Sequence, residues 1–170
     1  MYIIGDIGNT ETKICLFNSK KKLLKKKIFN TGNLRKKKIY SNFKFMNLYK
    51  KKIDKIIFSS VVPNVFKDIK MIMKKKFKLE AKELKQINLK KILTVDVNMK
   101  QVGSDRLANA VSVINGKDNF IILDFGTATT FDVVLKDSYK GGIIAPGVNL
   151  SLKTLIEKAK LIPNTRLIKT

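Results

Sequence analysis

Three short segments carry the residue types from which phosphate chemistry can be built. Asp6-Ile7-Gly8-Asn9-Thr10, with Lys13 beyond it, follows one apolar run, and Asp124-Phe125-Gly126-Thr127-Ala128-Thr129 follows another. An Asp-x-Gly at the end of a strand has a physical use. Glycine lets the backbone turn tightly and approach an anion, its neighbours offer amide and hydroxyl donors to phosphate oxygens, and the carboxylate can hold a cation or its waters. Lys13 adds a compensating charge. The third segment, Gly103-Ser104-Asp105-Arg106, stands where a helix is predicted to begin, and helix N-terminal amides attract negative charge. The chain has no histidine, so a general base has to be a carboxylate or, failing that, a lysine or tyrosine. Asp105 is the best-placed carboxylate to accept a hydroxyl proton during phosphoryl transfer, with Arg106 to bind an anionic substrate. Each segment also has a plain structural reading: Asp-Gly and Asn-Thr mark ordinary turns, and Ser-Asp is a common pair at helix starts.

The elements that would position these residues follow from periodicity. Tyr2 to Ile7 and Thr12 to Asn18 read as a β-hairpin, Leu23 to Asn30 as a third strand, and Thr31-Gly32-Asn33 as the turn that ends it. A loosely helical stretch within residues 40–51 precedes a buried-type strand at residues 55–62. Pro63 suits the first turn of the next helix, whose apolar stripe is Phe66, Ile69, Ile72, Met73 and Phe77. Residues 87–97 read as a strand plus a connection. Ser104 is placed to cap a helix over residues 105–115, with Gly116 as its stop. Strands are predicted at residues 120–123, 129–135 and 141–144, and a last helix from about Asn149 to Lys158, ending before Pro163. Strands alternating with helices argue for an α/β protein with mixed sheets. The two Asp-x-Gly segments form an internal repeat, which suggests two similar lobes, residues 1–90 and 91–170.

Composition bounds the remaining choices. With 170 residues and 44% apolar content, one or two compact lobes are expected. No run approaches 18 uncharged apolar residues, and acidic Asp6 stands where a secretory leader would be basic, so a cytoplasmic protein is expected. Cys15 is the only cysteine, which excludes an intrachain disulfide and a cysteine-based metal site. The formal charge of +23 invites a nucleic-acid reading. Its distribution argues otherwise: 26 basic and 6 acidic residues lie in residues 1–91, against 10 and 7 from Ile92 onward. The excess is nearly all lysine, with much Ile and Asn, as compositional drift at solvated positions produces. Arginine occurs only at Arg35, Arg106 and Arg166, so Arg106 stands out as a place for a planar, bidentate cation.

Five motifs occur in order: Asp6-x-Gly-Asn-Thr-x-x-Lys13, Ser59-Ser60-Val61-Val62-Pro63, Gly103-x-Asp105-Arg106, Asp124-x-Gly-Thr127-Ala-Thr129 and Gly141-Gly142-x-Ile-x-Pro146-Gly147. Together they resemble type III pantothenate kinase. The resemblance implies an actin-like ATPase (ribonuclease H-like) fold with duplicated lobes, the second incomplete. It implies ATP-dependent phosphorylation of pantothenate to 4'-phosphopantothenate, the first step of coenzyme A synthesis. Carried over residue by residue, Asp6, Gly8, Asn9, Thr10 and Lys13 form the first phosphate hairpin, and Thr127 contacts ATP from the second. Gly103, Ser104, Asp105 and Arg106 bind pantothenate, with Asp105 as proton acceptor. Asp124 holds a monovalent cation (K+ or NH4+), and Mg2+ accompanies ATP near Asp6. The family also implies a homodimer, no membrane association, and a longer chain of which this sequence is expected to be the N-terminal part. The family's Tyr and Asn-Pro upstream of the substrate motif are here Asp96-Val97-Asn98-Met99. An inactive or regulatory relative of the same fold, or a basic nucleic-acid-binding protein, is the alternative.

Overall fold

Alternation decides the first sheet. In β1 (Tyr2–Ile7) the residues Ile3, Gly5 and Ile7 are buried, and in β2 (Glu11–Phe17) so are Thr12, Ile14 and Leu16. The antiparallel register sets Ile3 opposite Leu16, Gly5 opposite Ile14 and Ile7 opposite Thr12, which gathers one apolar face. The other face carries Asp6 opposite Lys13. This structure is a computed structural model that describes residues 1–34, 36–159 and 163.

The lysine-rich β3 (Leu23–Asn30) pairs antiparallel with β2. On the far side of β1, β4 (Lys55–Ser60) and β5 (Ala81–Glu83) are parallel additions, giving the order β3-β2-β1-β4-β5. Parallel neighbours need crossover connections. The first contains α1 (Lys36–Phe43) followed by 3-10 turns, and the second is α2 (Pro63–Ile72) with a π-helical turn at Met73–Phe77. Pro63 begins α2, as its missing N–H permits. The predicted stripe of Phe66, Ile69, Ile72, Met73 and Phe77 is buried throughout and joins Ile3, Ile7, Ile14 and Phe58 in one core. Each such side chain contributes roughly 1.5–3 kcal/mol when fully buried. Gly5 is needed for packing, because a Cβ there would run into the ring of Phe58.

The helix expected within residues 40–51 starts earlier and stops at Phe43, after which the chain continues in 3-10 turns. Ser41, Asn42 and Asn47 are weak helix formers in this stretch. The short strand β5 was not anticipated, since three residues give no alternation to read.

The second sheet, ordered β6-β9-β8-β7, is built from β6 (Thr94–Val95), β7 (Asn119–Phe125), β8 (Ala128–Leu135) and β9 (Ser138–Pro146). Its antiparallel β7-β8-β9 run repeats the β1-β2-β3 run, each with Asp-x-Gly at the first turn. The register between β8 and β9 slips between Val133 and Val134, and Gly141 takes a left-handed φ of +100° there, which glycine adopts readily. The apolar run expected as a strand at residues 120–123 lies within β7, where exposure alternates along the strand. Ile121 (69% exposed), Leu123 and Phe125 (66% exposed) stand out on one face with Ile143 of β9. The remaining helices are α3 (Ser104–Val113) and α4 (Val148–Lys158).

The chain divides into two compact units, residues Met1–Lys91 with Lys100–Asn109, and Ile92–Met99 with the described residues from Ala110 onward. The sequence division at residue 90 is therefore crossed by one segment, and that segment carries Gly103 to Arg106. Among the described residues, no helix is long and apolar enough to cross a membrane.

Candidate functional site

The first turn is braced from outside. The Gly8 amide donates to the Glu11 carbonyl at 2.9 Å, closing the β1-β2 hairpin around exposed Asn9 and Thr10. Thr31, just past β3, reaches this turn from two sides: its amide donates to Thr10 O at 2.8 Å and its hydroxyl to Gly8 O at 2.8 Å. Thr12 and Thr31 hydroxyls are 2.9 Å apart and buried. With the Thr31 proton on the Gly8 carbonyl, Thr12 is the donor of that pair. The hairpin is thus held in one shape by Thr31 and Thr12.

Asp6 lies half-buried at the end of β1, between two register partners, Lys13 on β2 and Ser59 on β4. The Lys13 ammonium is half exposed, 3.9 Å from Glu11. The Ser59 hydroxyl is buried and makes no hydrogen bond. An oxygen pair of this kind suits a hard cation and its waters.

The Gly103–Arg106 turn belongs to the same compact unit. The Asp105 carboxylate folds back over Gly103, where a Cβ would run into Asp105 Oδ1, and that oxygen accepts the Arg106 amide at 2.8 Å. Arg106 is only 9% exposed. Ser104, expected as a capping residue, is instead the first residue of α3, and its hydroxyl donates to Glu83 at the end of β5. Arg35 and Arg166 lie outside the described residues.

In the second unit, the Gly126 amide donates to Ala128 O at 3.0 Å, making a tighter version of the first turn around Thr127. Gly147, the residue before α4, approaches this turn so closely that a Cβ would lie 2.6 Å from Gly126 O and nearer still to Thr127 O. The N-terminus of an eleven-residue helix is therefore brought against the turn by a glycine. Asp124 is half-buried, with Thr130 as its register partner across β8, and the buried Thr130 hydroxyl makes no hydrogen bond. These are again oxygen donors suited to a hard cation. No cluster of three or more His, Cys, Asp or Glu exists among the described residues, so a cation here would complete its shell with water or ligand oxygens.

Asp96, in the segment that departs from the family pattern, accepts hydrogen bonds from Lys140 Nζ and, at 2.7 Å, from the Ser138 hydroxyl. The Lys140 bond and then the Ser138 bond hold its carboxyl below the usual carboxylate range. Its role here is to tie residues 94–96 to β9.

Asp6, Gly8, Asn9, Thr10, Lys13 and Gly103 to Arg106 thus all fall in the first unit, while Asp124 and Thr127 belong to the second. Sequence reasoning passed over three supporting residues. Thr31 reads in sequence as a turn residue, Glu83 sits in a strand too short to show alternation, and Gly147 closes the last of the five motifs. For Gly147 the signal was present: a glycine directly between a strand and a helix.

A family model described as type III pantothenate kinase matches residues 2–170. The type III pantothenate kinase of Pelagibacter ubique is 55% identical over 170 residues, which is 100% of this chain and 68% of that protein. The type III pantothenate kinase of Rhizorhabdus wittichii is 40% identical over 114 residues, 65% of this chain and 44% of its own length. Among solved structures, the type II variant of the Aquifex aeolicus Ppx/GppA phosphatase superposes with a TM-score of 0.53 at 16% identity, covering 92% of this chain and 56% of that one. That likeness concerns fold alone. On the match across nearly its whole length, the chain belongs to the type III pantothenate kinase family.

Proposed function

We propose that the protein transfers the γ-phosphoryl group of ATP to the primary hydroxyl of pantothenate, giving 4'-phosphopantothenate and ADP. The observation that carries this is the placement of the Gly103–Arg106 turn in the same compact unit as the Asp6–Lys13 hairpin. Phosphoryl transfer passes through a loose transition state, so the protein's part is positioning and charge stabilisation. The amides and hydroxyls of Gly8, Asn9 and Thr10, with Lys13, receive the phosphates, and Thr127 meets ATP from the second turn. Arg106 binds the pantothenate carboxylate. Asp105 takes the hydroxyl proton as the oxygen attacks phosphorus and the bond to ADP breaks.

Asp6, with the Ser59 hydroxyl beside it, fits Mg2+ arriving with ATP, and Asp124 with Thr130 fits K+ or NH4+. Bound there, the cations would neutralise phosphate charge. In this reading the two compact units are the two lobes of the enzyme, which works as a homodimer in the cytoplasm and needs no nucleic acid.

The test is ATP-dependent phosphorylation of pantothenate by the chain beside an Asp105→Asn variant. Loss of a general base lowers turnover by about 10²–10⁴-fold, with pantothenate binding retained. Equal rates in the two proteins would remove Asp105 from the mechanism, and a chain that binds ATP without phosphorylating pantothenate would overturn the substrate.

A further inference from the structure

The hydroxyl of Ser104 is buried, at 2% exposure, and a buried hydroxyl needs a partner. That partner is the Oε1 atom of Glu83. Glu83 is itself immobilised at both ends. Its Oε2 accepts the Lys85 amide at 2.7 Å, and its own amide donates to the Gln86 side chain at 3.2 Å, a reciprocal capping box on the turn that follows β5. The carboxylate therefore has little freedom to follow Ser104; Ser104 has to come to it.

The position of Glu83 in the sheet gives this bond its meaning. Gly5 on β1, Phe58 on β4 and Glu83 on β5 are register partners in one row across three strands. The next row holds Asp6 and Ser59. The sheet that carries the first phosphate turn thus ends, two strands over from β1, in a fixed carboxylate that grips the residue between Gly103 and Asp105. Ser104 is the first residue of α3, and Asp105 and Arg106 are the next two, so fixing Ser104 sets the origin from which both side chains project.

We infer that Glu83 is a positioning residue for the substrate turn, setting Asp105 and Arg106 relative to the β1 end through its bond to Ser104. The inference rests on the pantothenate kinase reading for its kinetic arm and on geometry alone for its structural arm. The carboxylate accepts from both groups that converge on it, the Ser104 hydroxyl and the Lys85 amide. A glutamine keeps one acceptor oxygen for the Lys85 amide and turns an NH2 toward Ser104, whose hydroxyl then has to accept instead of donate.

The experiment compares the chain with Glu83→Gln and Glu83→Ala. In steady-state kinetics, Glu83→Ala raises the KM for pantothenate or lowers kcat by about tenfold in all, a shift of about 1.4 kcal/mol, while the KM for ATP stays within about twofold. Glu83→Gln falls between the two. In parallel, hydrogen exchange is read at the Leu107 amide, which donates to Gly103 O at 3.2 Å, and at amides of β1. Faster exchange at Leu107 with β1 unchanged is the expected result. Unchanged exchange at Leu107, equal change for both substrates, or loss of protection throughout β1 would each overturn the inference, the last by making Glu83 a residue of the fold at large. If the parent chain leaves pantothenate untouched while Leu107 responds as expected, the substrate reading falls and the positioning role stands.

Discussion

Thr31→Val tests the bracing of the first phosphate turn. Valine matches threonine in shape, so the substitution removes a hydroxyl without opening a cavity, and the Thr31 amide still bonds Thr10 O. Two partners are stranded: Gly8 O, which is partly buried, and the Thr12 hydroxyl, which is fully buried with Thr31 at 4% exposure. Leaving a buried polar group unpaired costs about 1–3 kcal/mol, and the accessible carbonyl, which water can reach, about 0.5–1.5 kcal/mol. The expected loss is therefore about 2–4 kcal/mol, read as a shift of the urea midpoint at unchanged m-value. A double variant, Thr12→Val with Thr31→Val, no longer strands the Thr12 hydroxyl. It should be less destabilised than the sum of the single variants by about 1 kcal/mol or more. ATP affinity should fall in Thr31→Val as the turn loosens. Strictly additive costs, or a single-variant loss under about 0.5 kcal/mol, would refute the reasoning, because the hydroxyl chain could then not be what shapes the turn.

Gly147→Ala places a methyl against two backbone carbonyls of the second turn, and neither can move without the other. Over-packing costs about 1–3 kcal/mol. ATP affinity should drop about tenfold or more by calorimetric titration, and an unchanged affinity would remove this turn from the nucleotide site. Lys140→Met removes the main cause of the lowered Asp96 pKa. The folded-state pKa lies below the unfolded one, so the pair stabilises the fold fully above the ordinary value of about 3.9 and loses this as pH falls through the folded value. The advantage of the parent over the variant in urea midpoint should hold steady from about pH 7 to 5 and shrink below about pH 4. A difference that is flat down to acid pH would deny the pair any pH-linked role.

The legible parts of this chain were those in which a side-chain pattern and a backbone requirement coincide. Pro63 with the stripe to Phe77 announced α2 because proline fixes the start and the apolar spacing fixes the face. The two Asp-x-Gly turns could be read because glycine, acid and preceding strand stand together in sequence. What could not be read is what the sheet brings together from a distance. Glu83 and Ser104 are 21 positions apart and meet only because β5 is laid beside β4. Thr31 meets Gly8 across 23 positions because β3 runs back along β2. Ser104 at a helix start looks like a cap from local sequence, and tertiary pairing with a fixed carboxylate overrides that preference.

The exposed face of β7 bears on how copies of this chain behave toward each other. Ile121, Leu123 and Phe125 project from the edge strand of the second sheet, a surface that in a neutral protein invites stacking between molecules. The net charge of +23 supplies a repulsion that opposes stacking of copies through this face. Repulsion of this kind reaches about 10 Å at 0.1 M salt and about 3 Å at 1 M. Salt should therefore drive this chain toward self-association, whereas attraction to a polyanion would weaken under the same titration. The lysines then act as a colloidal spacer against stacking through the β7 face, and the ionic strength of the buffer sets how strongly they do so.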